Sequence, residues 1–193
     1  MDNRYGRVLD ALEKANEHPD EWIIVYTFDH GEMLGRHVVW EKQRFFEASV
    51  RVPLVIRWPQ GFTGGEKVTE NVNLCDLFAT LCDLSGIPMS EGTDFRSLVP
   101  FPKGEETDWS NETLSQFGGT NLRTKQDHLK YQYHGEDMPE VLFDLEKDSD
   151  ELKNVMQDSA YTNVIEKFRK RRAELAFGPD ADPEYVNAGY GKK

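Results

Sequence analysis

Along the first fifteen residues, Tyr5, Val8, Leu9, Leu12 and Ala15 recur at steps of three and four with charged side chains between them. That period predicts an amphipathic helix ending before Pro19. Residues 22 to 28, WIIVYTF, are apolar at nearly every position, the pattern of a strand buried on both faces in a parallel sheet with helices above and below. PLVIRW, residues 53 to 58, repeats it between Pro53 and Pro59, and the loop GFTGGEK comes next. Leu74, Leu77, Phe78, Leu81 and Leu84 then mark a helix that stops at Gly86, with Pro88 just beyond, as helix C-termini commonly do.

After residue 100 the pattern changes. FPKGEETDWSN reads as a polar linker, and ETLSQF, TNLRT, HLKYQY and EVLFDL are short runs separated by GG, KQD and HGEDMP. This is the pattern of an antiparallel meander. Tyr161, Val164, Ile165, Phe168 and Leu175 make one face of a closing helix, and Lys167, Arg169, Lys170, Arg171 and Arg172 fill much of the rest as a solvated face. The tail from residue 178 to 193 is rich in Gly, Pro and charge, and reads as extended and flexible. No internal repeat is present. The division expected is residues 1–100 as an α/β layer, 101–177 as an antiparallel β plus α subdomain, and 178–193 as a flexible tail.

Charge narrows the partners. With 23 basic and 35 acidic residues the formal net charge is −12, a field that repels a phosphate backbone, so nucleic acid is not an expected partner. No apolar run approaches the ~20 residues that cross a bilayer, and the N-terminus lacks the apolar core of a secretory signal. No membrane partner is expected, and the sequence carries no address of its own. Cys75 and Cys82 lie two helical turns apart, ~10 Å along a helix, too far for a mutual disulfide. Both read as small residues facing the core.

Chemistry concentrates in TFDHGEMLGRH, residues 27 to 37, which holds Asp29, His30, Glu32 and His37. A strand ending in Asp29-His30-Gly31 places a carboxylate and an imidazole at its carboxyl end, where open α/β sheets bind ligands. Two such groups can contribute to a divalent-metal site, although two ligands do not close one. The plainer alternative has Asp29 capping the next helix and His30 as a turn residue.

Read onward, DHGEMLGRHVVWEKQRFFEASVRVPLVIRWP resembles the segment that type I sulfatases carry after their last metal-binding strand: Asp-His-Gly, a Leu-Gly-x-His turn, Trp-x-Lys, an aromatic-Glu pair and Val-Arg-x-Pro. NLCDLFATLCDLSGIP and FRSLVPF are similar to the helix and the loop that come next in that family. LRTKQDHLKYQYHGEDMPEVLFDLEKDSDELKNV is similar to its C-terminal strands. The resemblance implies the alkaline phosphatase superfamily, an α/β sandwich followed by a small C-terminal antiparallel sheet with a closing helix. It also implies roles. Asp29 and His30 match the pair that completes a Ca²⁺ or Mg²⁺ site, Lys42 matches the lysine that contacts the sulfate and the bridging oxygen, and the substrate is a sulfate ester. His37 matches a turn in which Arg36 and Val38 depart from the family's acid and glycine, so substrate-pocket and structural readings both stand. Glu32 is expected to face solvent or cap a turn, Glu47 and Arg51 to brace the scaffold through buried hydrogen bonds, and His18, His128 and His134 to lie on the solvated surface.

The family's nucleophile is a formylglycine made from Cys or Ser in a Cys/Ser-x-Pro-x-Arg motif, and no such motif occurs in these 193 residues. The early paired aspartates that supply further metal ligands are absent too. The expectation is a C-terminal portion of a sulfatase, inactive and weakly metal-binding by itself, with sheet surface left uncovered and therefore self-associating. Two alternatives stand beside it: a phosphonate or phosphate ester hydrolase of the same superfamily, and a noncatalytic stand-alone module.

Overall fold

The three- and four-residue period of the N-terminal segment folds as helix α1, Asp2–Lys14, in a computed structural model that describes residues 2–90, 92–117 and 120–178. Lys14 lies in the last turn of α1, where a cation complements the helix dipole. The chain forms two units. One comprises the residues up to Trp40 with Ala48–Thr69 and Leu74–Asp108, and the other Glu41–Glu47, Glu70–Asn73 and the chain from Trp109 onward. Part of the expected tail, from residue 179 on, lies outside the described residues.

In the first unit, strands β1 (Ile24–Thr27) and β2 (Leu54–Arg57) pair with each other, antiparallel, with Ile24 opposite Arg57 and Thr27 opposite Leu54. This corrects the expected parallel, doubly buried arrangement. Every residue of β1 is only half-buried, and Val55 keeps 55% of its surface exposed. An apolar run reports that both faces suit an interior, but direction is decided by how the intervening chain returns. Tyr5 of α1 meets Tyr26 edge to face at 5.5 Å, and Tyr26 meets Phe28 at 5.4 Å. Arg57 pins the turn at Pro19–Glu21 by donating to Pro19 O at 2.9 Å and pairing with Asp20.

A short helix α2, Glu47–Val50, precedes β2, and α3 runs Asp76–Leu84. The buried side of α3 is Asp76, Ala79, Thr80 and Cys82, whereas Leu74, Phe78 and Leu81 of the expected apolar stripe are exposed. Hydrogen bonding selects that side. Thr80 Oγ1 donates to Asp76 O at 2.6 Å and accepts from Leu98 N at 3.0 Å, and Asp76 Oδ1 accepts from Arg96 N at 3.1 Å. Leu98 and Val99 are buried as a result. Cys82 is buried as expected, but Cys75 is exposed, and both are free thiols.

The second unit is the expected meander. Strands β3 (Glu112–Phe117), β4 (Asn121–Gln126), β5 (Leu129–His134) and β6 (Val141–Asp144) form one antiparallel sheet in sequence order. Helix α4, Thr162–Glu174, covers one face. Leu122, Tyr131, Tyr133 and Leu142 meet Ile165 and Phe168 there, with the Tyr131 and Phe168 rings stacked at 5.5 Å.

The opposite face carries Arg123, Lys125, Lys130 and Gln132, which an alternating strand would send to water. In the structure Arg123, Lys130 and Gln132 are buried. Phe45, Phe46 and Glu47 lie against this polar face. Phe45 stacks on His134 at 5.7 Å and Phe46 packs on Phe143 at 6.1 Å.

Candidate functional site

In the first unit, β1 ends at Thr27 and delivers Asp29 and His30 into a turn that Gly31 makes possible. Gly31 N donates to Ser49 O at 2.7 Å, and a β-carbon on Gly31 would overlap the carbonyl oxygen of Ala48. Only glycine lets these two backbones approach so closely. His30 Nδ1 lies 2.6 Å from Gly31 O, and a carbonyl can only accept, so Nδ1 carries the proton and donates. Nε2, on the other side of the ring, lies 3.4 Å from Asp29 Oδ2. A backbone carbonyl holding the far ring nitrogen is the usual support of a ligating histidine. Nε2 and Oδ2 are close enough to share one cation. The pair fits a divalent metal as two members of a larger set, and 86% of the Asp29 side chain is exposed for the rest to approach.

Glu32 is exposed, as expected. Gly35 sits at φ 88° with the Trp40 ring behind it, and His37 is half-buried at φ 53° and ψ 25°. Leu34 and Val38 are also left-handed, at φ 46° and 59°. For Val38, whose β-carbon is branched, that conformation is strained, and such strain gathers where function constrains the chain.

Lys42 belongs to the second unit and its side chain is exposed. Its neighbours Glu41 and Gln43 both have positive φ, 73° and 68°. Three residues farther on, the segment is clamped. Lys130, 0% exposed in β5, donates to Phe45 O at 2.8 Å and Glu47 Oε1 at 2.9 Å, and pairs with Glu151. Glu151 in turn accepts from Glu47 N at 2.6 Å. Lys125 stands directly opposite Lys130 on β4, a like-charge pair that would repel. Glu47 answers both, with Oε2 3.7 Å from Lys125 Nζ. Burial pushes the Glu47 carboxyl up, and the attraction of Lys130, Lys125 and Arg123 overrides it, leaving its pKa below the usual value.

Glu47 thus braces the scaffold as expected, while Arg51 is exposed. Lys130 and Glu151 were not singled out from sequence, although each stands inside a motif segment, HLKY and DSDELKN. Neither residue type nor spacing reveals that a strand lysine faces a covering segment instead of water.

The remaining histidines divide. His18 and His128 are exposed as expected, whereas His134 is half-buried against Phe45, and burial together with Arg44 lowers its pKa. The basic run of α4 is also more engaged than a solvated face. Arg172 is buried, lies 4.5 Å from the Tyr133 ring centroid and donates to Glu140 at 2.8 Å. Arg169 pairs with Glu140 as well, and Arg171 with Glu112 at 3.0 Å.

Among the described residues, His128, Asp144 and Glu146 bring three ligand-type atoms within 4.8 Å of one another. Asp144 is already spoken for: Oδ2 accepts from Lys147 Nζ at 2.7 Å and Tyr161 Oη at 2.6 Å. The ammonium supplies the positive charge a metal would bring, and the carboxylate ties the turn after β6 to the start of α4. No metal is assigned there.

Comparison with known proteins covers most of the chain. The family described as "N-sulphoglucosamine sulphohydrolase, C-terminal" matches residues 35–177. Choline-sulfatase of Rhizobium meliloti is 37% identical over 166 residues, covering 82% of this chain and 31% of that protein. Arylsulfatase K of Homo sapiens is 34% identical over 164 residues, covering 76% of this chain and 28% of that protein. The phosphonate monoester hydrolase of Agrobacterium radiobacter superposes with a TM-score of 0.80 at 31% identity, over 90% of this chain and 38% of that one. The chain spans less than a third of the length of these curated relatives. Among the described residues no helix is long and apolar enough to cross a membrane.

Proposed function

Because this chain belongs to the sulfatase family, we propose that it forms the C-terminal portion of a sulfuric ester hydrolase acting on a sulfate ester. The observation that carries the reading is the set of His30: Nδ1 donates to Gly31 O, which turns Nε2 toward Asp29 Oδ2 at 3.4 Å. Asp29 and His30 would hold Ca²⁺ or Mg²⁺ together with groups from outside these residues. A bound cation would polarise the ester oxygens as a Lewis acid.

Lys42 takes the other electrostatic task. When the ester bond breaks, negative charge grows on the leaving oxygen, and a positioned ammonium neutralises it where the transition state needs it most. His37 lines the substrate pocket. The nucleophile, a formylglycine, is supplied from outside these residues, since they hold no Cys/Ser-x-Pro-x-Arg motif.

A second reading, phosphonate monoester hydrolysis, is favoured by the similarity to the Agrobacterium radiobacter hydrolase. One comparison separates them. The protein that contains this chain is assayed on matched aryl sulfates and aryl phosphonate monoesters; higher kcat/KM on the sulfate supports the main reading, and the reverse order supports the second. In either case Lys42→Ala lowers turnover by about 10²–10³-fold. Loss of under threefold would remove Lys42 from the chemistry. Calorimetric titration of the 193-residue chain with Ca²⁺ is expected to give binding weaker than micromolar, abolished in Asp29→Ala, because two protein ligands leave most of the shell to water.

A further inference from the structure

The polar face of the four-stranded sheet is built to hold a backbone in place, and the backbone it holds is the one that carries Lys42. The Lys130 ammonium donates to the Phe45 carbonyl and the Glu47 carboxylate, and forms an ion pair with the Glu151 carboxylate. Glu151 takes the Glu47 amide. A main-chain acceptor at residue 45 and a main-chain donor at residue 47 are therefore gripped from opposite charges, so the intervening peptide has one orientation. Phe45 against His134 and Phe46 against Phe143 seal both flanks.

For stability alone this is a poor arrangement. A buried lysine with two carboxylates loses hydration that its ion pairs barely repay, and apolar residues of similar size often serve as well. A buried charge network is better suited to fixing one geometry. We propose that Lys130, with Glu47 and Glu151, is a positioning group that sets the segment presenting Lys42, so that the C-terminal sheet takes part in stabilising the leaving oxygen without touching substrate. This rests on the role given to Lys42 above. The strained pair Glu41 and Gln43, on either side of Lys42, is the local cost of that presentation.

Leaving-group dependence tests it. Lys42 matters most when the leaving oxygen is basic, so a displaced ammonium harms poor leaving groups and spares good ones. The protein that contains this chain is assayed with a series of aryl sulfates spanning leaving phenols of low to high pKa, as wild type, Lys42→Ala, Glu151→Gln and Lys130→Met. Glu151→Gln keeps an acceptor and the packing, and it carries the test if Lys130→Met fails to fold. The expected result for Glu151→Gln is a loss in kcat of about 10- to 100-fold for the poorest leaving group, at most threefold for the best, with KM unchanged. Lys42→Ala should show the same slope more steeply. Hydrogen exchange on the 193-residue chain should show faster exchange at residues 45–47 in Glu151→Gln while β4 and β5 keep their protection.

The failures separate. If Lys42→Ala shows no leaving-group slope, the role of Lys42 falls and this inference with it. If Lys42→Ala shows the slope and Glu151→Gln lowers all substrates equally or none, Lys42 stands and the positioning role is overturned. Unchanged exchange at residues 45–47 overturns it as well.

Discussion

The surroundings of Lys130 and Gly31 leave each little freedom. Removing the Lys130 charge leaves the buried Glu151 without its ion-pair partner, and breaking a buried pair from one side typically costs about 3–5 kcal/mol. Lys130→Met is expected to lower unfolding free energy by that amount in urea, and a loss below 1 kcal/mol would mean that water reaches the carboxylates. Gly31 fails differently. Its β-carbon position is taken by the Ala48 carbonyl oxygen, which belongs to backbone and has nowhere cheap to go. Gly31→Ala should cost about 1–3 kcal/mol, as overpacking does, and should weaken Ca²⁺ binding as much as Asp29→Ala, because the same displacement moves His30. A variant with unchanged stability and titration would show that the turn opens freely.

At the level of elements, the joint between β6 and α4 is electrostatic. Burial raises the Asp144 carboxyl, and the hydrogen bonds from Lys147 and Tyr161 outweigh it, bringing its pKa to about 2. An unfolded aspartate titrates near ~3.9. The folded value lies below the unfolded one, so this contribution is complete above about pH 4 and is lost as the pH falls toward 2. The Glu47 carboxyl, also held low, acts in the same direction. Unfolding free energy measured from pH 6 to pH 2 should fall across that window. Asp144→Asn should be less stable at pH 6 and should show a shallower fall. A pH profile identical to wild type would mean that the joint is held by packing alone.

For the whole molecule, the first unit leaves apolar side chains in water: Val8, Trp22, Val55, Phe78 and Leu81 are all exposed. Every 100 Å² of such surface covered by another chain stabilises by about 2.5 kcal/mol, and β1 and β2 form a two-stranded sheet with edges able to pair. The 193-residue chain is expected to self-associate at micromolar concentration. Sedimentation as a monomer with cooperative unfolding would favour a stand-alone module instead.

The meander and α4 were legible in the sequence because each is a local matter. Period-two runs with turn residues between them specify hairpins, and Tyr161, Val164, Ile165 and Phe168 specify one helical face, whichever partner they meet. Asp29, His30 and Lys42 stand out through motif order, and the roles proposed for them rest on that resemblance. Tertiary structure alone decided which surfaces meet. The antiparallel pairing of β1 with β2, the hydrogen-bonded side of α3 and the burial of Lys130 all depend on chain segments distant in sequence. A strand's pattern says only that a face is polar. Whether that face meets water or a peptide carbonyl and two carboxylates depends on residues 45–47 and 151 folding back onto it, and no local period encodes that return.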